Sequence, residues 1–297
     1  ADILRLWVAT VQYTDEVPFG EDMFKQVAER YRGFRNVLRI LLANFADASE
    51  GTLSLEGATT IDRWVLSRLQ HVIERCRSAY EEYDFRAVFE TINQFCTVDL
   101  SAVYVDITKD RLYCDAAESP RRRATQATMR ACFEAVTRLL APILAFTADE
   151  AWEYAGRAES VHLEQFPTPD VALRDEALEA RVAQWLELRG VVYQQAIEPG
   201  RQNKTIAKSL EAQIILSVPE SWIAELESDR EELEEFFIVS RVDFEPGEAI
   251  AARLVRSENA RCERCWRHLP TVGSHPTHAG LCDRCADAVS NCSPAAA

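Results

Sequence analysis

Apolar residues recur at spacings of three and four through most of the first half of the chain. From about Asp22 to Asn44, the positions Val27, Tyr31, Phe34, Leu38, Leu41 and Phe45 make one stripe, which predicts an amphipathic helix with a single buried face. Arg32, Arg35 and Arg39 gather on another face. After a polar stretch containing Gly51 and Gly57, a second helix is predicted to open near Thr60 as cap, with Asp62 in its first turn, where a carboxylate suits the helix dipole. Trp64, Leu69, Val72, Ile73, Cys76 and Tyr80 form its stripe. A third helix starts near Asp84 and turns Phe85, Val88, Phe89, Ile92 and Phe95 inward; the segment Asp99 to Tyr113 continues or restarts it. A fourth is predicted from Pro120 to about Glu153, kinked where Pro142 removes a backbone donor. Long helices with apolar stripes pack as a bundle.

Beyond Gly156 the pattern changes. Val161 to Phe166 alternates briefly and is closed by Pro167 and Pro169. A helix is expected over roughly Asp175 to Glu198, with Trp185, Leu188, Val192 and Ile197 as its stripe. Ala212 to Val218 and Phe236 to Phe244 read as strands, and the acidic segment Glu225 to Glu235 between them as helix. This is the pattern of a small α/β unit.

With 297 residues the chain has room for two or three domains. No apolar run approaches the ~20 residues that span a bilayer, and no signal peptide is visible. The net charge of −15 repels phosphate at long range, which argues against indiscriminate nucleic-acid binding but permits a local basic surface. The first residue is Ala1, inside what reads as an amphipathic element already under way, so the chain is expected to be a piece of something longer.

The densest chemistry lies near the end. Cys262-Glu-Arg-Cys265, sixteen residues, then Cys282-Asp-Arg-Cys285 are two knuckles able to present four thiolates to one ion. A closed tetrahedral thiolate set suits one structural Zn²⁺ and leaves no position for water. Gly273, Pro276 and Gly280 let the intervening loop turn back, and His268, His275 and His278 read as surface residues. A module of about 35 residues has too little apolar core to fold alone, so the metal would supply much of its folding energy. Arg261, Arg264, Arg267 and Arg284 offset the charge of the thiolates or reach phosphates, and spacing leaves both readings open. Trp266 either stacks on a base or packs under the knuckle. Of the other cysteines, Cys76, Cys96 and Cys132 fall in apolar helical patterns as buried thiols, while Cys114 and Cys292 show no knuckle spacing. The usage fits a reducing cytoplasm.

Phosphate-binding glycine loops, zinc-protease motifs and a nucleophile elbow are absent from the sequence, and no residues suggest a catalytic triad. Two basic clusters remain. Arg121, Arg122 and Arg123 sit at a helix start, where the dipole gives cations no support, and read either as phosphate contacts or as solvated surface. Arg201, Lys204 and Lys208 lie where a helix hands over to a strand, either as a loop for an RNA backbone or as an ordinary cationic helix end.

Several motifs, in order, resemble the bacterial isoleucyl-tRNA synthetases, a branch of the class I aminoacyl-tRNA synthetases. Ala1 to Ala9 is similar to the segment after that family's KMSKS loop. Tyr31-Arg-Gly-Phe-Arg-Asn36 and Leu41-Leu-Ala-Asn44 resemble the first helix of its anticodon-binding domain. Tyr104 to Tyr113 resembles its helical signature, and Leu140 to Trp152 a segment shared among related class I enzymes. Ser209-Leu-Glu-Ala212 and Cys262-Glu-Arg-Cys-Trp266 narrow the likeness to the isoleucine branch.

The resemblance covers essentially the whole chain. It implies a mainly α fold: the end of a catalytic core over 1–21, a helical anticodon-binding bundle over 22–170, an α/β junction over 171–255, a four-cysteine zinc module over 256–292 and a disordered tail over 293–297. It implies a cytoplasmic, monomeric partner of the tRNA(Ile) anticodon arm, working with catalytic and editing domains of the same enzyme and with neither membrane nor DNA. The whole enzyme would use ATP and Mg²⁺ to activate isoleucine, transfer it to tRNA, and remove mischarged valine, since a single methylene discriminates poorly. The family's HIGH and KMSKS motifs are absent from these residues, so no catalytic residue is expected here and the chain alone is expected to be inactive. RNA contacts are expected from Arg201, Lys204, Lys208, Arg264, Trp266, Arg267, Arg284, Arg121 and Arg122. Three other readings compete. Formamidopyrimidine-type DNA glycosylases carry a similar zinc module but need a catalytic proline at the N-terminus. The valine or leucine enzymes would share the bundle. A non-catalytic zinc-containing RNA-binding or scaffold protein would need no catalytic domain upstream.

Overall fold

The stripe through Phe34, Leu38, Leu41 and Phe45 is buried along one side of a single long helix. That helix is one of twelve α-helices among the described residues of a computed structural model, which describes residues 1–11, 16, 20–48 and 56–291. Cys292, the expected tail and most of the polar stretch after Phe45 lie outside the described residues. The chain forms two units, one of residues 1–106 and 123–176, the other of residues 107–122 and the chain from 177 on.

The first unit is helical. It holds α1 (Asp2–Thr10), α2 (Glu21–Phe45), α3 (Thr60–Glu81) and α4 (Phe85–Gln94). Thr59, one residue before the expected cap, starts α3: its backbone N–H and Oγ1 both donate to Asp62, at 3.0 and 2.9 Å. Asp84 caps α4 by accepting from the Ala87 N–H at 2.9 Å. The helix does not restart after Gln94. It runs on as a π-helical stretch, Phe95–Val105, into α5 (Asp106–Cys114). Widening to the i+5 pattern keeps the bulky Phe95, Leu100, Val103 and Tyr104 buried in succession. The Tyr104 hydroxyl donates to the buried Asp62 carboxylate at 2.6 Å, tying this stretch to the start of α3.

Pro142 breaks the fourth predicted helix outright. It ends as α6 (Pro120–Leu140) and resumes as α7 (Ala145–Tyr154). The freed carbonyls of Pro142 and Ile143 accept from the Arg5 guanidinium at 2.7 and 3.0 Å. Asp2 takes over the start of α7, accepting from the Thr147 N–H and Oγ1 at 2.7 and 2.6 Å. Gly156, in the left-handed conformation at φ +81°, ends α7. The short alternation at 161–166 forms no strand; Val161–Leu163 is one 3₁₀ turn.

Residues 107–122 reach from α5 into the start of α6 and pack in the second unit, not in the bundle as expected. There α8 (Glu176–Val192) continues through a π-helical Tyr193–Ile197 into α9 (Glu198–Gln202), four residues past the expected end. Pro199 is tolerated because it falls in the first turn of α9. Strand β1 (Ala212–Val218) buries Ala212, Ile214, Leu216 and Val218 on one face, as its alternation predicts. Helices α10 (Glu220–Ser228) and α11 (Arg230–Phe237) follow. Phe236 and Phe237 therefore close a helix instead of opening a strand, and Ile238, left-handed at φ +56°, turns the chain. Only β2 (Arg241–Pro246) is extended, parallel to β1; the unpredicted β3 (Ala251–Arg256) pairs antiparallel on the other side. The described chain ends with α12 (Asp283–Ser290).

Candidate metal centre and nucleic-acid interface

The four knuckle cysteines converge. Their sulfurs lie within 4.8 Å of one another and all four residues are buried. The Sγ atoms of Cys265 and Cys282 are 3.8 Å apart. A tetrahedron with Zn–S bonds near 2.3 Å has edges of about 3.8 Å, the separation this pair shows. Local structure aims each sulfur. In the first knuckle the Trp266 N–H donates to the Cys262 carbonyl and the Cys262 N–H to the Arg267 carbonyl, both at 2.9 Å. In the second, Cys282 is the N-cap of α12 and Cys285 lies in its first turn, where the dipole favours thiolates. The Cys282 N–H also points at the Cys262 sulfur, at 3.4 Å. Hydrogen bonds from Cys114, Cys265 and Cys282 hold the Cys285 thiol far below the usual range.

The arginines around the set are occupied. Arg264 donates to the Cys114 carbonyl and to the Tyr113 carbonyl at 3.2 Å, and its Nη1 stands 3.8 Å from the Cys285 sulfur. Arg284 pairs with Asp110 and, at 3.4 Å, with Asp115. Burial alone would raise Asp110, but Arg284 outweighs it and holds that carboxyl below the usual range. Arg121 forks onto Asp115 with two 2.9 Å bonds and lies 3.7 Å from Glu235. Glu235 in turn makes a buried two-bond pair with Arg111 at 2.9 and 2.6 Å. Arg122 bonds the carbonyls of Leu112 and Ala117, each at 3.1 Å. Arg267 meets Glu234 at 2.6 Å and the Ser240 carbonyl at 3.1 Å. Of the two roles the sequence leaves open for these residues, the observed partners supply the internal one. Arg261 is exposed beside them. His268 is half-buried instead of a free surface residue: its N–H donates to Ser240 Oγ at 2.7 Å, and its Nδ1 meets the Asn259 carbonyl at 2.9 Å.

A different group faces solvent. Trp266 adopts φ +63°, left-handed, because the chain reverses at the knuckle. That swings its indole outward, 49% exposed, not under the knuckle. Lys208 covers the ring with its Nζ 4.2 Å from the centroid. The loop that brings Lys208 there is well anchored. Ile206 is buried, the Ile206 N–H donates to the Gly200 carbonyl at 3.2 Å, and Asn203 Oδ1 accepts from the N–H and hydroxyl of Thr205 at 3.0 and 2.6 Å. Lys204 is exposed at its tip, also left-handed at φ +61°, and Arg201 pairs with Glu198 at 2.7 Å on the surface. Contiguous sequence does not reveal the Lys208–Trp266 stack; it arises only when loop and knuckle fold together.

Residues 62–216 match the family described as the anticodon-binding domain of tRNA ligase. The chain belongs to that family. Residues 261–288, enclosing all four knuckle cysteines, match a second family described as the zinc finger found in FPG and IleRS. The anticodon-binding family match takes in the helices from α3 to α9, the Lys204–Lys208 loop and most of β1. Among similar proteins are the isoleucine–tRNA ligases of Syntrophotalea carbinolica, 37% identical over 96% of this chain and 32% of that protein, and of Syntrophomonas wolfei, 39% identical over 97% and 33%. The isoleucine–tRNA ligase of Bacillus mycoides is 41% identical over 97% of this chain and 33% of its own length. The chain thus spans about a third of the length of the relatives it matches. No described helix is long and apolar enough to cross a membrane.

Proposed function

We propose that this chain is the tRNA-gripping part of an isoleucine–tRNA ligase and that its four cysteines hold one structural Zn²⁺. The observation that carries the reading is the exposed Trp266 under Lys208, set directly on the first knuckle. An aromatic face with a cation beside it offers a base a stacking platform and a phosphate a partner. The sulfurs sit in a closed, buried set with Arg264 close to Cys285, so they can hold a metal but leave no coordination position for a substrate. The metal's work is then to fix the knuckle, and through it the direction of Trp266.

In this reading the RNA-facing residues are Trp266, Lys208, Lys204 and Arg201, joined by Arg261. The arginines 121, 122, 264, 267 and 284 hold the module together. Isoleucine activation with ATP and Mg²⁺, transfer to tRNA(Ile) and editing belong to other parts of the enzyme, and the place of work is the cytoplasm.

The test is equilibrium binding of a tRNA(Ile) transcript and of the same transcript with its anticodon replaced. Tighter binding of the native anticodon at physiological salt is expected. Equal affinity for both, with the same salt dependence, would contradict an anticodon-reading role.

A further inference from the structure

Four aromatic rings in the first unit form a row. Tyr80, in the last turn of α3, lies within it: its ring centroid is 5.1 Å from that of Phe166 and 6.1 Å from that of Phe85, and Phe85 is 6.4 Å from Tyr83. The row is held from behind. The Tyr80 hydroxyl donates to the Leu139 carbonyl at 2.6 Å, and Arg77 donates to the Pro167 carbonyl at 3.2 Å, fixing the segment that carries Phe166. The outer rings face solvent, with Phe85 and Phe166 each 38% exposed and Tyr83 70% exposed.

Tyr83 stands where glycine is usual. It follows the C-cap of α3 in the left-handed conformation, φ +58°, with the Tyr83 N–H bonded to the Tyr80 carbonyl at 3.1 Å and the Asp84 N–H to the Ala79 carbonyl at 2.8 Å. These are the two bonds of a Schellman ending, whose left-handed position glycine fills without a Cβ penalty. A tyrosine there works against the backbone, and its ring, mostly in solvent, recovers little by burial. The charge around the row is one-sided. Glu81, Glu82 and Asp84 flank Tyr83 and are exposed, and Glu164, also exposed, lies two residues before Phe166. The neighbouring cations are engaged: Arg86 pairs with Glu90 at 2.8 Å, and Arg77 holds Pro167.

We propose that this aromatic row is a docking surface for a basic polypeptide segment, a partner that presents arginine or lysine side chains. The face of an aromatic ring attracts a guanidinium or ammonium group. The carboxylates around the rings attract the same partner and repel phosphate. That charge decides between two polymers an aromatic row can hold: stacked nucleotides need cations beside the rings, and the exposed groups flanking Tyr83 are anions. The row gives the chain a protein-binding role separate from its grip on RNA.

The experiment titrates a fluorescently labelled hexa-arginine peptide with the 297-residue chain and follows anisotropy at about 0.15 M salt, where attraction to the net charge of −15 is screened beyond about 8 Å. Saturable binding to one site is expected. Tyr83→Gly should weaken it about 2- to 5-fold without lowering the thermal midpoint, whereas loss of a packing residue would lower both. Tyr83→Phe should bind as the unaltered chain does, and Glu81→Gln with Glu82→Gln should weaken binding and flatten its salt dependence. Peptide binding that is undetectable, or unchanged in Tyr83→Gly, would overturn the proposal. A midpoint lowered in step with the affinity would make the ring a packing element and overturn it too. So would a Tyr83→Gly chain that loses affinity for tRNA(Ile) and not for the peptide, since the row would then serve RNA.

Discussion

The Nζ of Lys208 lies 4.2 Å from the centroid of the Trp266 ring, joining the basic loop to the first cysteine knuckle. At an exposed site such a contact contributes only about 0.5–1 kcal/mol to stability, so its interest lies in what it presents. The two residues predict different signatures. Lys208→Ala should weaken tRNA binding and reduce the salt slope by about 1, as expected for one lost phosphate contact. Trp266→Ala should lose about 1–3 kcal/mol of affinity with the slope unchanged, as expected for a lost stacking face. Binding isotherms across a salt series separate the two.

The arginines beside the knuckles should behave otherwise. Arg284→Ala leaves Asp110 and the buried Asp115 without that partner. It should lower the stability of the second unit by about 1–3 kcal/mol while leaving the RNA salt slope near its original value. Denaturant titration and binding measured on the same preparations would check this; a change in slope with unchanged stability would return Arg284 to the RNA surface.

The Arg111–Glu235 pair is almost entirely buried, with side chains 1% and 7% exposed. Removing one partner strands a charge. Arg111→Met or Glu235→Leu alone should cost about 3–5 kcal/mol, and the double replacement much less than the sum. A double-mutant cycle by chemical denaturation measures the coupling. Additive losses would show that Arg121, 3.7 Å from Glu235, already satisfies the carboxylate.

Asp243 gives the second unit an acid-dependent component. Partial burial would raise its pKa, but Arg241, Arg230 and Gln213 all donate to the carboxylate and hold it down at about 2. The unfolded value is about 3.9. A depressed carboxylate adds stability that is complete above the unfolded value and lost as the pH falls through the folded one. The stability gap between the unaltered chain and Asp243→Asn should therefore be constant at neutral pH and close between about 4 and about 2. A gap independent of pH down to 2 would contradict the ion-pair account.

Much of this architecture is legible in the sequence because helices with one buried face repeat their stripe. Phe34, Leu38, Leu41 and Phe45 are all buried as their spacing predicts. The paired cysteines also declare themselves, since a knuckle is local. What fails to show is of two kinds. Short apolar runs do not distinguish strand from helix end: Phe236 and Phe237 read as strand yet finish α11, while β3, with two alanines and two arginines in six residues, carries too weak an alternation. Pairings between distant positions are silent as well. Nothing near Cys114 hints at Cys285, and nothing near Arg284 tells that Asp110 and Asp115 await it, so the sequence leaves those arginines open between internal and RNA-facing roles.

Chelation should separate the metal's work from that of the helices. Stripping the ion is expected to unfold the module around the knuckles, expose Cys262, Cys265, Cys282 and Cys285 to thiol reagents and release Trp266 from Lys208, while most of the helical circular-dichroism signal remains, since the module contributes only α12 among the described helices. Unchanged thiol reactivity after complete metal removal would show that packing alone holds the module.

The most direct test of the central claim is the dissociation constant of the zinc-loaded chain for tRNA(Ile), compared with that of Trp266→Ala at the same salt. The account predicts binding weakened about 5- to 150-fold by the loss of one stacking platform, with zinc content and helical signal intact. Equal affinity for the two, with the fold intact in both, would contradict it.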